Sequence, residues 1–175
     1  MLHFPGGFYG ETSLSRAVAH GVAALTKAFP TGESESALVR ILVVDDNPAV
    51  RSYLRSILEQ QNTWQVCSEA RTGQEAIDRV RESKPDLILL DFQMPDTNGL
   101  DVARQISHMS PGLPILMITV HFNRQLVAAA QKVGIRGACA KSDVGSIVDA
   151  VETILHRGTY FPDAHSPLDK GGLQA

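Results

Sequence analysis

Short apolar runs alternate with stretches of helical periodicity between residues 39 and 158, and this alternation limits the folds open to the chain. Strands that are buried on both faces read as continuous apolar segments, whereas strands with one wet face alternate. The runs of the first kind are Val39–Val44, Trp64–Val66, Leu87–Leu90, Ile115–Val120 and Gly137–Ala140. They predict a parallel sheet that is covered by helices on both sides and joined by right-handed crossovers.

Five intervening stretches place apolar residues at the spacing of an amphipathic helix. Asn47 followed by Pro48 is a helix start, and Thr72 opens a Thr-Gly-Gln-Glu capping box. Pro85 stops the second helix, because the residue before a proline avoids the helical region. Gly134 is a suitable C-terminal cap for the fourth helix. The chain is therefore expected to be an α/β protein of (βα)5 type, a doubly wound parallel sheet with strand order 2-1-3-4-5.

The composition divides the chain into three parts. Residues 1–37 are rich in small residues and carry a rough apolar stripe, so we expect a flexible or partly helical N-terminal extension. Residues 38–158 contain the whole strand and helix pattern and form the main domain. Residues 159–175, which include prolines and a Gly-Gly pair, are expected to be a C-terminal tail or linker.

Several classes of protein are disfavoured by composition. A net charge of −3 over 175 residues gives no reason to expect direct nucleic-acid binding by this chain. No apolar run approaches the roughly 18 residues of a membrane span, and the N-terminus lacks the pattern of a signal peptide. Cys67 and Cys139 are expected to be buried thiols. We therefore expect a cytoplasmic protein with no membrane partner.

Polar residues follow four of the five apolar runs. Asp45 and Asp46 follow the first, Asp91 the third, Thr119 ends the fourth, and Lys141 follows the fifth. Ligand crevices of open α/β sheets lie at the carboxyl ends of the strands, where the strand order reverses. With the order 2-1-3-4-5, the first and third strands are neighbours. Three carboxylates and a lysine are then expected in one crevice.

Three carboxylates need cations, because two unit charges 4 Å apart repel by about 4 kcal/mol at an effective dielectric of 20. Lys141 supplies one positive charge. Mg²⁺, which prefers carboxylates, a carbonyl and retained waters, suits the rest. Such a site can bring a phosphoryl group to a carboxylate oxygen. Each residue taken alone also has a plain structural explanation. Asp45 and Asp46, for example, could simply end a strand and begin a helix, where acidic residues interact favourably with the helix dipole.

These residues and their surroundings resemble the response-regulator receiver domains of two-component systems, which have a flavodoxin-like fold. The stretches that carry the resemblance are Ile41–Pro48, Pro85–Asp91, Met94–Pro95, Asn98–Leu100, Pro114–Thr119 and Lys141–Ser142. The resemblance covers the chain from about Val39 to Gly158. A closer likeness to receivers that precede a helix-turn-helix DNA-binding domain is carried by His121, Ala150–Leu155 and Gly158–Phe161.

The resemblance implies a magnesium site. Asp46 would bind Mg²⁺ directly, Asp45 would act nearby, often through water, and Asp91 together with the backbone carbonyl of Gln93 would complete the protein ligands. Asp91 would also be the phosphoacceptor. The phosphoryl donor would be a phosphohistidine on a sensor histidine kinase or a phosphotransfer protein.

The resemblance also implies roles for the flanking residues. Lys141 would pair with Asp91 or its phosphate, and the Thr119 hydroxyl would turn toward the phosphoryl oxygens. Gln93 and His121 flank the acceptor and are expected to tune the lifetime of the phosphate. A partner or a second copy of the chain, as in a homodimer, would read the switched surface.

Two positions depart from the family pattern. Ala138 stands three residues before the lysine, where the family usually has a switch aromatic, and Val120 stands where the family prefers a small residue. Both leave the acceptor chemistry intact and affect the usual readout through the fourth and fifth helices.

Three functions remain to be compared. The first is a phosphorylation-controlled interaction module that catalyses only its own phosphotransfer and dephosphorylation, either alone or as the receiver fragment of a DNA-binding transcriptional regulator. The second is a pseudo-receiver that signals through phosphorylation-independent contacts, as the departures at Ala138 and Val120 suggest. The third is a hydrolase with an aspartyl-phosphate intermediate. It is disfavoured because Gln93, two residues after Asp91, cannot act as a general acid.

Overall fold

The computed structural model describes residues 38–95 and 97–162, in which strands and helices alternate as the sequence predicts. The strands are β1 (Val39–Val44), β2 (Trp64–Ala70), β3 (Leu87–Asp91), β4 (Ile115–Thr119) and β5 (Gly137–Ala140). The helices are α1 (Pro48–Leu58), α2 (Gly73–Ser83), α3 (Gly99–Met109), α4 (Arg124–Lys132) and α5 (Val144–Leu155). The interpretations of residues 1–37 and 163–175 lie outside the described residues.

The predicted helix ends are present. The side chain of Asn47 caps α1 by accepting a hydrogen bond from the Ala49 amide at 2.9 Å, and Thr72 caps α2 by accepting from the Glu75 amide at 3.1 Å. The second half of the predicted capping box differs, because the Glu75 carboxylate accepts from the amide of Arg71, one residue before the cap, at 2.9 Å. Gly134 follows α4 with a φ of +83°, as its predicted role requires.

The sheet is wholly parallel and has the order β2-β1-β3-β4-β5, which confirms the predicted topology. β2 continues to Ala70 instead of stopping at Val66. β2 is an edge strand and is therefore less buried than the central strands. Half-buried polar residues such as Glu69 can belong to it, which is why the apolar pattern underestimates its length. β4 ends at Thr119, so the predicted inclusion of Val120 is wrong; that side chain is 65% exposed.

Two apolar clusters, one on each face of the sheet, hold the helices. Alternate residues of the central strands point to opposite faces, as in Leu42 and Val43 of β1. Leu42 joins the cluster that contains residues of α2, α3 and α4, and Val43 joins the cluster of α1 and α5. Burial of β1 and β3 on both faces explains their continuous apolar sequences.

The segment after α5 returns to the edge of the sheet. Tyr160 lies beside Gly137 of β5, and its carbonyl accepts a hydrogen bond of 2.9 Å from the amide of Ala138. The Tyr160 amide donates to the carbonyl of Arg136 at 3.0 Å. Tyr160 packs against the cluster of α1 and α5, and Phe161 packs against the other cluster. Residues 160 and 161, assigned to the tail from sequence, therefore pack on the sheet.

The two cysteines differ. Cys139 is fully buried as expected, and burial raises the pKa of its thiol to about 12. Cys67 is only partly buried, which corrects the expectation of two buried thiols, and its sulfur lies 3.5 Å from the carbonyl oxygen of Ile41. Among the helices of the described residues, none combines the length and the apolar character that crossing a membrane requires.

Candidate functional site

The carboxylates of Asp45, Asp46 and Asp91 converge at the carboxyl edge of the sheet. One oxygen of each lies within 4.8 Å of one oxygen of the other two. The side chains of Asp45 and Asp91 are buried, at 0% and 1% residue exposure, while Asp46 is exposed. The site therefore has two sheltered carboxylates and one that faces solvent.

The register of the central strands brings these residues together. β1 and β3 are parallel neighbours in which Val44 pairs with Leu90. The next residue along each strand is Asp45 and Asp91, so two acidic side chains leave adjoining strands at the same level. The predicted convergence of the acidic strand ends is thus present in the structure.

Lys141 connects the two buried carboxylates. Its ammonium nitrogen lies 2.7 Å from Oδ2 of Asp45 and 2.7 Å from Oδ2 of Asp91, and its directed hydrogen bond goes to Asp91. The backbone holds the lysine in place, because the Lys141 amide donates to the carbonyl of Thr119 at 2.8 Å. The predicted group of three carboxylates and one lysine is therefore assembled at one edge.

The surroundings change the acidity of two members of this group. Burial raises the pKa of the Asp91 carboxyl, and the opposing hydrogen bonds from Lys141 and the Gln93 amide do not cancel that effect. Burial acts to lower the pKa of Lys141, but the close carboxylates of Asp45 and Asp91 outweigh it, so the pKa is raised. The lysine therefore stays protonated between its two partners.

The group has the composition of a divalent-cation site. Oδ2 of Asp45 is buried and accepts no hydrogen bond from any described residue, and the ammonium of Lys141 lies 2.7 Å from it. One lysine cannot neutralise three neighbouring carboxylates. An oxygen-rich site of this kind, with one exposed carboxylate for entry, fits Mg²⁺, which keeps several waters and takes few protein ligands.

The other predicted residues flank the site. The Gln93 amide donates to Oδ1 of Asp91 at 3.2 Å, and the Gln93 side chain is exposed. Thr119 is fully buried, and its hydroxyl accepts a 3.0 Å hydrogen bond from the amide of His121, whose side chain is exposed. Within the described residues, the hydroxyl makes no hydrogen bond to Asp91 or Lys141. Thr119 follows Ile118, which pairs with Asp91 in the sheet, but its hydroxyl is bonded to His121.

The two positions that depart from the family pattern have opposite environments. Ala138 is fully buried in the cluster of α2, α3 and α4, beside Met117 of β4 in the strand register. Val120 is 65% exposed just after β4. The structure therefore has a small buried residue at the position where the family usually has an aromatic, and an exposed apolar side chain just after β4.

Two residues near the acidic group have local roles that the sequence did not reveal. A Cβ atom on Gly99 would lie 2.3 Å from the backbone oxygen of Asp91, so only glycine fits against the backbone of Asp91. The guanidinium of Arg51 donates to the backbone carbonyls of both Asp45 and Asp46. Gly99 was visible only as part of the family motif. Arg51 gave no signal, because neither its bonds to these backbone carbonyls nor its bond to Glu69 of β2 is marked by any pattern in the sequence.

Comparison with known proteins agrees with this geometry. The model of the response regulator receiver domain matches residues 41–152. The chain is 33% identical over 126 residues to the transcriptional regulatory protein LnrK of Bacillus subtilis (strain 168), covering 71% of this chain and 57% of that protein. It is 31% identical over 125 residues to the response regulator UvrY of Escherichia coli (strain K12), with the same coverage of 71% and 57%. The chain thus spans a little over half of these relatives.

A solved structure shows the same fold. The two-component response regulator of the LuxR family from Aurantimonas sp. SI85-9A1 superposes with a TM-score of 0.69 at 31% identity, covering 71% of this chain and 89% of that one. The acidic group and the lysine described above lie within residues 41–152, which the family model matches. The chain belongs to the family of response regulator receiver domains.

Proposed function

We propose that this receiver domain accepts a phosphoryl group on Asp91 and that Asp45, Asp46, Asp91 and the carbonyl of Gln93 hold the Mg²⁺ that the transfer requires. The observation that supports this most is the sharing of one ammonium, at 2.7 Å, by the buried carboxylates of Asp45 and Asp91. The exposed Asp46 completes a group that is short of positive charge. Bound Mg²⁺ would supply charge neutralisation for the carboxylates and the incoming phosphoryl oxygens.

The chemistry assigned to the chain's own residues is limited to one displacement. A carboxylate oxygen of Asp91 attacks the phosphorus of a phosphohistidine, the phosphorus–nitrogen bond breaks, and the imidazole of the donor leaves with the electron pair. Lys141, which is hydrogen-bonded to Asp91, would bind a phosphoryl oxygen once the carboxylate has become an acyl phosphate. The donor is a sensor histidine kinase or a phosphotransfer protein.

The direct test uses acetyl phosphate and Mg²⁺ as a small phosphodonor. The unmodified chain should gain one phosphoryl group by intact mass, and Asp91→Asn should gain none. Asp149→Asn, which changes an exposed carboxylate on α5, is the matched control and should be labelled like the unmodified chain. Persistent labelling of Asp91→Asn would show that another residue is the acceptor.

Thr119 and the rim residues are proposed to act after transfer. The Thr119 hydroxyl, now bonded to the His121 amide, would exchange that bond for a phosphoryl oxygen. The bulk of the exposed Gln93 and His121 side chains would then limit the access of water to the phosphate. Alanine at either position should change the dephosphorylation rate, and an unchanged rate would remove that residue from the proposal.

A second candidate function is phosphorylation-independent signalling, and the buried Ala138 favours it, because no aromatic ring is present there to rotate. Beryllofluoride with Mg²⁺, a stand-in for the phosphoryl group, separates the two candidates. If the domain is a working acceptor, the amide signals of Asp46, Asp91, Thr119 and Lys141 should shift. An unchanged spectrum would support the pseudo-receiver.

The output is proposed to be control of transcription by a longer protein that contains this domain. The relatives LnrK and UvrY are named as a transcriptional regulatory protein and a response regulator, and the matched segment is 57% of each. Cytoplasmic location and homodimer formation are further expectations of this proposal. Sedimentation of the chain with and without beryllofluoride tests the dimer, which should form or strengthen on activation.

A further inference from the structure

Arg51 of α1 is bonded to the backbone of the acidic pair. Its Nη1 atom donates to the carbonyl oxygen of Asp45 at 2.8 Å and lies 3.3 Å from the carbonyl oxygen of Asp46. Its side chain is only 17% exposed. A planar guanidinium with several donors in fixed directions can hold two acceptors at once, which an ammonium on a flexible stem does less well. The peptide units of Asp45 and Asp46 are thereby tied to α1.

Glu69 of β2 fixes the other side of this guanidinium. Oε2 of Glu69 accepts from Nε of Arg51 at 3.0 Å. Oε1 of the same carboxylate accepts from Nε and Nη2 of Arg55 at 2.9 and 2.7 Å. Burial acts to raise the pKa of Glu69, but the hydrogen bonds from Arg55 and Arg51 outweigh it, so the pKa is lowered. Glu69 thus holds Arg51 as a charged partner in a defined orientation.

An irregularity in β2 directs Glu69 toward α1. Ile41 pairs with Val66, but Leu42 pairs with Ser68, so Cys67 is an extra residue in the edge strand. An extra residue reverses the alternation of side chains between the two faces. Val66 accordingly joins the cluster of α1 and α5, while Ala70, four residues later, joins the opposite cluster. In a regular strand these two residues would share a face, and Glu69 would point away from α1.

We propose that Arg51 is a positioning residue for the metal site, holding the peptide units of Asp45 and Asp46 so that their carboxylates are arranged for Mg²⁺ before the ion arrives. The inference rests on the proposed function, since it assumes that the ion binds at the acidic pair. It assigns the Arg51 guanidinium a role that Arg55 lacks, although both bind the same carboxylate. Arg55 contacts the carbonyl of Val66 and the side chains of Glu59 and Glu69, and none of these belongs to the acidic pair.

The pair of arginines provides the test. Mg²⁺ is titrated into the unmodified chain and into Arg51→Met, Arg51→Lys and Arg55→Met, and binding is followed by the amide shifts of Asp46 and Asp91. Residues that orient metal ligands typically contribute 10- to 100-fold to affinity, so Arg51→Met should weaken Mg²⁺ binding by about ten-fold. Arg51→Lys, which keeps the charge and loses the planar fork, should give an intermediate loss. Arg55→Met should weaken binding by less than about two-fold.

A second measurement needs no metal. The Asn47 amide donates to Oδ1 of Asp45 at 3.0 Å, so its hydrogen exchange reports the order of the acidic pair. Exchange should be faster in Arg51→Met than in Arg55→Met, with circular dichroism confirming that both are folded. If Arg51→Met fails to fold, Arg51→Lys carries the same comparison.

The outcomes separate the two proposals. Equal losses of Mg²⁺ affinity in the Arg51 and Arg55 variants would mean that the cluster acts only by stabilising the fold, and unchanged affinity in Arg51→Met and Arg51→Lys would also overturn the inference. Absence of Mg²⁺ binding by the unmodified chain would overturn the proposed function. In that case, the exchange of the Asn47 amide would still show whether Arg51 orders the acidic pair.

Discussion

Two regions of the sheet follow the family pattern to different degrees. The acceptor region, which we define as Asp45, Asp46, Asp91 and Lys141 and name for the proposed role of Asp91, has the residue types of that pattern, and its side chains lie together in the structure. The fifth-strand region, which we define as Ala138 with Tyr160 and Phe161, departs from it, because alanine stands where the family usually has an aromatic. This difference shows that phosphoryl chemistry and signal readout place different requirements on the residues of a receiver domain.

Phosphoryl chemistry needs fixed charges at fixed distances, so few residues can replace those of the acceptor region. Readout needs a packed element with two arrangements, and many side chains can provide that. In the fifth-strand region, the amide of Ala138 donates to the carbonyl of Tyr160, and Phe161 packs against the cluster that contains Ala138. The segment after α5 is therefore attached directly to the strand at the position of the missing ring.

Removing the cation of the acceptor region should have the largest effect on stability. Lys141→Met leaves the buried carboxylates of Asp45 and Asp91 without their shared partner. We expect the free energy of unfolding in metal-free buffer to fall by about 3 kcal/mol, at the low end for a broken buried pair because 17% of the lysine is exposed. Added Mg²⁺ should recover part of the loss. Urea unfolding with and without Mg²⁺ measures both.

The control for this change is Lys132→Met at the exposed end of α4. It should alter the free energy of unfolding by less than about 0.5 kcal/mol and should not respond to Mg²⁺. A loss in Lys141→Met no larger than that of the control would show that the acceptor region does not depend on the lysine for its charge balance.

Restoring an aromatic ring to the fifth-strand region should cost stability. Ala138 has no exposed surface, so the ring of Ala138→Tyr must displace neighbouring side chains. We expect a loss of about 2 kcal/mol in the free energy of unfolding, as is typical of overpacking. Ala49→Tyr, at an exposed position in α1, is the matched control and should be nearly neutral. Unchanged stability in Ala138→Tyr would mean that the region keeps room for the ring.

Removing the aromatic of the returning segment should have a smaller effect. Phe161 is only partly buried against the cluster of α2, α3 and α4. Phe161→Ala should lower the free energy of unfolding by about 1 kcal/mol, well below the roughly 3–5 kcal/mol of a fully buried ring. It should also speed hydrogen exchange at the Ala138 amide, which is bonded to Tyr160. Phe161→Leu should retain most of the stability, and equal losses in both variants would argue for a specific need for the ring.

The acceptor region could be predicted because each of its residues directly follows or ends an apolar run. Asp45, Asp91 and Lys141 follow from the positions of the strand ends once the sheet order is known. Burial on both faces makes those strands visible in the sequence as continuous apolar runs. The strand pattern and the site were therefore predicted from the same signal.

The surroundings of the site could not be predicted in this way. The extra residue at Cys67 reverses the faces of β2, and no apolar pattern marks it, because the strand lies at the edge and is half polar. Arg51 and Arg55 read as ordinary helix-surface arginines until the strand supplies Glu69 as their partner. Similarly, nothing in the spacing of Tyr160 indicates that it pairs with Gly137.

The smallest expected effect on stability concerns Glu69, which binds Arg51 and so holds it beside the backbone of Asp45 and Asp46. Because its pKa in the folded state is lowered from 4.5, its ionised form stabilises the fold above that value, and this stabilisation is lost as the pH falls through the folded-state pKa. Glu69→Gln should therefore lower the free energy of unfolding at neutral pH by about 0.5 kcal/mol, as for a partly exposed ion pair. The difference between the two proteins should shrink below about pH 4. Urea unfolding at several pH values measures it, with Glu82→Gln on α2 as the exposed control. A difference that stays constant across this range would mean that Glu69 stabilises the fold through packing and that its charge contributes nothing.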